Sequence, residues 1–261
     1  MKPISINEYL NINNPWSQRL LGITPFKKDR TIQQVENEYN LDKYAKLLAH
    51  DLKTIEEYKL KEFELSGLNP SANMHVSFGD DIFGVSVAEA RKSYYKLIKD
   101  KVTQYTSKNI CELGCGYGFN LSFVGENAYG GEYSKNAVKL GKKLGMEISE
   151  FNYYNCEDYD FIKENSTIFT THSIEQIPDA SVIIRCLEKQ RGKINYVIHF
   201  EPTLVSERDS LFGLLRNKYI ELNDYNHNLI SVLKNNPSIE ILELKYDVFG
   251  LTPLNSTNCI R

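Results

Sequence analysis

Residues 112–118 read Glu-Leu-Gly-Cys-Gly-Tyr-Gly, and an acid, Glu132, follows 18 positions after Gly114. Glycines let a chain turn sharply and let a ligand approach the main chain without a Cβ in the way. The spacing predicts a strand before this loop and a helix after it. Unpaired N–H groups at the helix start would then face a carboxylate or a phosphate. Glu132 is predicted to end the neighbouring strand, where a carboxylate can accept both hydrogen bonds of a ribose diol. The loop and the acid together suggest a ribose-bearing ligand more strongly than either alone. A dinucleotide loop would place its third glycine at position 119, which is Phe119; here the third glycine is Gly118.

Two further constellations can do chemistry. One is Thr171-His172-Ser173-Ile174-Glu175-Gln176, the other His199-Phe200-Glu201-Pro202. Each is a His–Glu pair at the carboxyl end of a predicted strand, where open α/β sheets form their ligand crevice. Histidine suits a proton near neutral pH, and carboxylates suit an amine or guanidinium. His172, Glu175, Glu201 and His199 are therefore the catalytic candidates. His199 lies in the apolar run Val197-Ile198-His199-Phe200, so a satisfied core residue is the competing assignment. His75 is either a lid residue or a surface residue. His227 and Tyr225 are weaker candidates, and most of the 17 tyrosines fall at helical spacing, as packing residues do. Cys115 reads as a small residue in the loop, not as a nucleophile.

The elements that must position these groups alternate. Strands are predicted at 109–113, 128–132, 147–154, 167–171, 196–201 and 239–246, with a final edge strand at 257–260. Helices are predicted at 87–105, 120–127, 134–145 and 179–190, and mainly over 207–235. Such alternation implies a Rossmann-like, doubly wound α/β fold with a mostly parallel, seven-stranded sheet. Before it, residues 1–30 read as an irregular arm pinned by Trp16. A helical pattern then runs from Thr31 to about residue 65, and breaks at Ser66-Gly67-Leu68-Asn69-Pro70. Residues 71–84 read as a polar loop. The expected organisation is a helical N-terminal cap over 1–105 and a ligand-binding core over 106–261, a dimerisation arm being the other use for the N-terminal part.

Composition narrows the class. The chain has 261 residues, 41% hydrophobic and 25% charged, with 31 basic and 34 acidic residues and a formal charge of −3. That balance argues against a nucleic-acid partner. No apolar leader and no spanning stretch of roughly 20 apolar residues is seen. The five cysteines, at 111, 115, 156, 186 and 259, are odd in number and lack a Cys-x-x-Cys pair. They suggest neither a disulfide framework nor a zinc site, and the expected location is cytoplasmic with no metal.

The pattern E/D-x-G-x-G-x-G, here Glu112 to Gly118, resembles motif I of the class I S-adenosylmethionine (SAM)-dependent methyltransferases. The resemblance covers roughly residues 108–250, and its specific parts are this motif and Glu132. It implies SAM as cofactor and S-adenosylhomocysteine (SAH) as product. It implies that Glu112 lies near the methionine amino group, that the backbone at Gly114, Cys115 and Gly116 lines the methionine portion, that Gly118 belongs to the same cofactor-binding loop, and that Glu132, followed by Tyr133, takes the ribose. Cys156, Glu157 and Asp158 hold the position that usually contacts adenine, although Asn155-Cys156-Glu157 stands where many relatives have Asp and a small residue. Residues after the fourth strand usually flank the transferring methyl, which brings in Thr171. The reaction so implied is methyl transfer to a nitrogen or oxygen of a small molecule or peptide, with the extra acids tilting it towards a cationic acceptor, by a monomer or homodimer. The alternatives are an RNA or protein methyltransferase, though Asn/Asp-Pro-Pro-Tyr is absent, a catalytically silent SAM-binding scaffold, a nicotinamide oxidoreductase, and a Rossmann-like turn with no ligand.

Overall fold

Ile110, Cys111, Glu112 and Leu113 are all buried, as in a parallel strand covered on both faces. The computed structural model describes residues 1–69, 72–105 and 107–261. The expected helix break at Pro70, the start of the expected loop at Ser71 and the expected domain boundary at Thr106 lie outside the described residues. In chain order the strands are β1 (Lys2–Ile4), β2 (Asn73–Phe78), β3 (Asp81–Ser86), β4 (Asn109–Leu113), β5 (Ala128–Glu132), β6 (Ile148–Glu150), β7 (Ser166–Thr171), β8 (Ile194–Glu201), β9 (Leu244–Thr252) and β10 (Asn255–Ile260). They join in one sheet of order β1-β3-β2-β9-β10-β8-β7-β4-β5-β6. The block from β8 to β6 is parallel; β10, β9, β2, β3 and β1 continue it antiparallel. The fold is Rossmann-like α/β, and the sheet is mixed and ten-stranded among the described residues, not seven-stranded and mostly parallel.

Side-chain alternation along the strands divides the core between the two faces. On β7, Ile168 packs in one apolar cluster and Phe169 in the other. The helix Val87–Gln104 covers the second face. Ser86 caps it in a reciprocal box with Glu89, and Val87, Ala90, Tyr94, Ile98 and Val102 are buried at helical spacing. The helix Ser181–Lys189 covers the first face with Ile183, Ile184, Cys186 and Leu187. Ser134 caps the helix Lys135–Lys143.

Several sequence expectations need correction. The stretch read as a loop over 71–84 holds a hairpin, β2–β3, in which Phe78 faces Asp81 across Gly79-Asp80. Ser77 joins this hairpin to Gly250 of β9. The N-terminal region is thus not purely helical, because it supplies three strands of the sheet. The third core strand stops at Glu150, since Phe151 and the residues after it turn into the core and a cavity wall. The strand expected at 239–246 lies at Leu244–Thr252. The expected edge strand at the end is interior, inserted between β8 and β9. The region 207–235 holds two helices, Leu211–Leu222 and Leu229–Lys234. The arm carries β1 and short helices, and Trp16 packs against Tyr219 at 4.3 Å and edge-on to Phe26 at 5.1 Å between ring centroids.

Cysteine pairing differs as well. Cys156 and Cys186 form a disulfide with a Cα–Cα distance of 4.9 Å and a sequence separation of 30. Neither spacing nor an odd count reveals a single bridge. It ties the segment after β6 to the helix Ser181–Lys189. Reduction with dithiothreitol is expected to lower the unfolding free energy by roughly 3–4 kcal/mol through loop entropy, checked by urea unfolding with and without reductant; coincident curves would refute it. Among the described residues no helix is long and apolar enough to cross a membrane, and no group of three or more His, Cys, Asp or Glu is placed to hold a metal.

Candidate functional site

The carboxyl ends of β4, β5 and β7 open onto a cavity of about 440 Å³. The glycine loop after β4 forms its floor. Gly114 and Cys115 donate their N–H groups to the Gly131 carbonyl at 2.8 and 3.2 Å, holding the loop against β5. Gly116 has φ +56°, and a Cβ there would lie 2.6 Å from the Tyr44 hydroxyl. Gly118 does a different job. It does not line the cavity, and a Cβ at its φ of +87° would meet Met146 at 2.9 Å, so it serves packing rather than ligand contact.

Two buried carboxylates stand on this floor. Glu132 accepts from Gly116 N at 2.8 Å through one oxygen and from Ser134 N at 2.7 Å through the other. Burial raises its pKa against the pull of those amides. Glu112 accepts from Asn120 Nδ2 at 2.7 Å, while its Oε2 is buried with no partner. Burial pushes its carboxyl up to about 8, with the Asn120 and Thr171 side chains working in the other direction. An unpartnered buried carboxylate oxygen in a cavity is suited to a cationic amino group. Tyr133 and Thr171 line the same cavity.

The expected adenine contacts are placed elsewhere. Cys156 is bonded to Cys186, Glu157 is exposed, and Asp158 accepts from Asn152 N at 2.8 Å and from Asn155 Nδ2 at 2.6 Å, which orders the turn. Asn152, Tyr153 and Tyr154 line the cavity instead. Tyr153 donates to the Leu113 carbonyl at 2.7 Å and thereby braces the wall against β4.

The four catalytic candidates separate into two pairs. His172 and Glu175 line the cavity, with His172 Nδ1 3.0 Å from Glu175 Oε2 and Nε2 2.7 Å from Thr257 Oγ1. Burial would lower the His172 pKa, but the neighbouring Glu175 carboxylate outweighs it and the net shift is upward. Glu201 and His199 do not line the cavity. Glu201 is fully buried and accepts from Ser173 N at 3.1 Å and Glu175 N at 3.0 Å, so it is a positioning residue beneath the turn; burial raises its carboxyl to about 7. His199 contacts Thr170 Oγ1 at 3.0 Å, and burial lowers its pKa to about 4, leaving a neutral core side chain. Of the weaker candidates, His75 sits on β2 with its ring 5.5 Å from Tyr9, and His227 pairs with Asp224 at 3.2 Å. Tyr225 packs with Tyr219 in a peripheral cluster.

The sequence reading did not name the residues that roof the cavity. A continuous helical rod, Ile32–Val35, Glu36–Tyr44 and Ala45–Leu48, has a wide π-helical middle, a form frequent at functional sites. It brings Tyr39, Lys43 and Tyr44 over the cavity. Asn40 fastens it by accepting from Ser134 Oγ at 2.8 Å and Asn136 N at 2.9 Å. Glu62, from the helix Ile55–Leu65, pairs with Lys43 at 2.6 Å and Lys59 at 2.8 Å and accepts from Tyr117 Oη at 2.9 Å. Burial alone would raise the Glu62 carboxyl, but the two lysines hold it well below the usual range. The paired polar groups Asn40, Lys43, Lys59 and Glu62 inside an otherwise amphipathic stretch were the available signal.

No protein-family model matches the chain, and no curated protein sequence matches it. Among solved structures it is similar to magnesium protoporphyrin IX methyltransferase from Synechocystis PCC 6803 with bound SAM, at 12% identity over 91% of this chain and 97% of that one, with a TM-score of 0.47. It is similar to a SAM-dependent methyltransferase from Bacteroides fragilis in complex with SAH, at 12% identity over 73% and 88%, TM-score 0.44. An O-methyltransferase family protein from Burkholderia thailandensis also matches, at 12% identity over 87% and 69%, TM-score 0.47.

Proposed function

We propose that the protein is a SAM-dependent methyltransferase acting on a nitrogen or oxygen of a small molecule or peptide. The observation that carries this reading is the pairing of Glu112, with its unpartnered buried oxygen, and Glu132 at the end of the next strand, both on one cavity. Glu112 would hold the amino group of SAM and Glu132 its ribose, with Tyr153 and Tyr154 beside the adenine. The bound cofactor supplies a methyl made electrophilic by its sulfonium. The chain's part is then to position the acceptor and exclude water, which the N-terminal roof serves. Calorimetry with SAM, SAH and NADH tests the reading. Binding of SAM and SAH without NADH is expected, and absence of both sulfur ligands refutes it.

A pH dependence follows from Glu112. Its carboxyl titrates at about 8 in the free protein, so forming a carboxylate–ammonium pair below that pH requires proton release. Affinity for SAM should therefore rise with pH, by up to about tenfold per unit, until the carboxylate is ionised. Above about 8 the ligand's own α-amino group loses its proton, and affinity should fall again. Calorimetric titrations across this range should show a maximum near pH ~8, and Glu112→Gln should abolish the rising limb. A flat profile in the unaltered protein would remove Glu112 from the amino-group role.

A further inference from the structure

The cavity lining carries a polar cluster that the cofactor reading leaves unused. Glu175 accepts from Gln176 Nε2 at 2.7 Å through Oε1, and from His172 Nδ1 at 3.0 Å and Asn255 Nδ2 at 3.1 Å through Oε2. A carboxylate oxygen only accepts, so both amides must present their NH₂ groups to it. Their orientation is thereby fixed, with each carbonyl oxygen turned away from Glu175. Gln176 Oε1 and Asn255 Oδ1 are both buried and have no partner. Gln176 and Glu175 are each more than nine-tenths buried, and all three residues line the cavity.

The protein's own cations do not serve these oxygens. Arg30 donates to Glu38 at 2.8 Å and to the Asn223 carbonyl at 3.2 Å. Lys43 and Lys59 are held by Glu62. Two buried amide oxygens without donors are costly unless a ligand brings them. A primary ammonium brings N–H donors for the two amide oxygens, with the Glu175 carboxylate beside them to offset its charge. A divalent metal fits less well, because hard cations take six or more oxygen ligands and the cluster offers one carboxylate. Aromatic rings line the same cavity, Tyr39 and Tyr94 among them, and aromatic faces favour cations.

We propose that Glu175, Gln176 and Asn255 form an ammonium-binding subsite that anchors the methyl acceptor by an amino group. The acceptor class is thus an amine-bearing small molecule whose cationic nitrogen is a handle for orientation. This rests on the reading of the cavity as a methyl-transfer site.

The test is calorimetry on the SAH-loaded protein with two probes of equal shape, tyramine and its alcohol counterpart tyrosol. Tyramine should bind at least about tenfold more tightly, the worth of a charge-assisted hydrogen bond. Glu175→Gln should lower tyramine affinity by about tenfold to a hundredfold while leaving tyrosol weak. Should that variant fail to fold, Gln176→Met removes one acceptor oxygen at similar volume and carries the same expectation. Equal affinity for the two probes, no binding of either at millimolar concentration, or release of tyramine by calcium ions would overturn the proposal. Tyramine binding by a protein that fails to bind SAH would keep the subsite and refute the methyltransferase reading.

Discussion

Replacing Arg216 by methionine is expected to lower the unfolding free energy by about 3–5 kcal/mol, the usual cost of breaking a buried ion pair by removing one partner. Arg216 is fully buried. Its Nε donates to the Pro253 carbonyl at 2.9 Å, and Nη2 donates to the Gly79 carbonyl at 2.7 Å and to Ser77 Oγ at 3.1 Å. Nη1 pairs with Asp80 at 3.0 Å and Asp247 at 3.2 Å. One guanidinium therefore fastens the β2–β3 turn to β9 and to the turn before β10. Methionine fills much of the volume but leaves these acceptors without their donor. Arg216→Lys should recover only part of the loss, because an ammonium cannot span the same fork. Urea unfolding should show a lower midpoint at unchanged slope. An unchanged midpoint would mean that backbone pairing alone holds the hairpin.

The second large effect concerns Glu132→Ala. Two backbone amides, Gly116 and Ser134, would lose their acceptor, at about 1–3 kcal/mol each. With Glu132 as the proposed ribose partner, SAH affinity should fall by about tenfold to a hundredfold. The two losses separate experimentally, since urea unfolding of the ligand-free protein reads the first and calorimetry the second. Loss of stability with unchanged SAH affinity would make Glu132 a brace for the loop and place the ribose acid elsewhere.

The strands flanking the glycine loop were legible because local and global signals agree there. Residues 109–113 and 128–132 have the bounds that the glycine loop and the bordering turns predict. The hairpin was less legible because its outward positions, Asn73, His75 and Asp81, look like a loop. Yet Met74, Val76 and Phe78 alternate with them, and the middle one is buried. The strand after the last helices was displaced because Ile239 and Ile241 pack against the core without pairing. At the site, residue types pointed to Glu112 and Glu132, but only distance separates His172 and Glu175, on the cavity wall, from His199 and Glu201 behind it. The individual contacts of the roof were invisible for a related reason. Its residues are hundreds of atoms away along the chain, and nothing local says that Tyr44 meets Gly116.

The sheet order also has a consequence in time. β10 lies between β8 and β9, so the middle of the sheet is delivered by the ribosome after the strands on both sides of it. Ser77 must wait for Gly250, its pairing partner, to emerge. At the usual ~5–20 residues per second of synthesis, that delay is on the order of ten to thirty seconds. During it the free edge of β2 is an open template for another chain. A nascent chain that stalls before β9 would expose that edge for longer, which makes translation speed between Ser77 and Gly250 a determinant of yield.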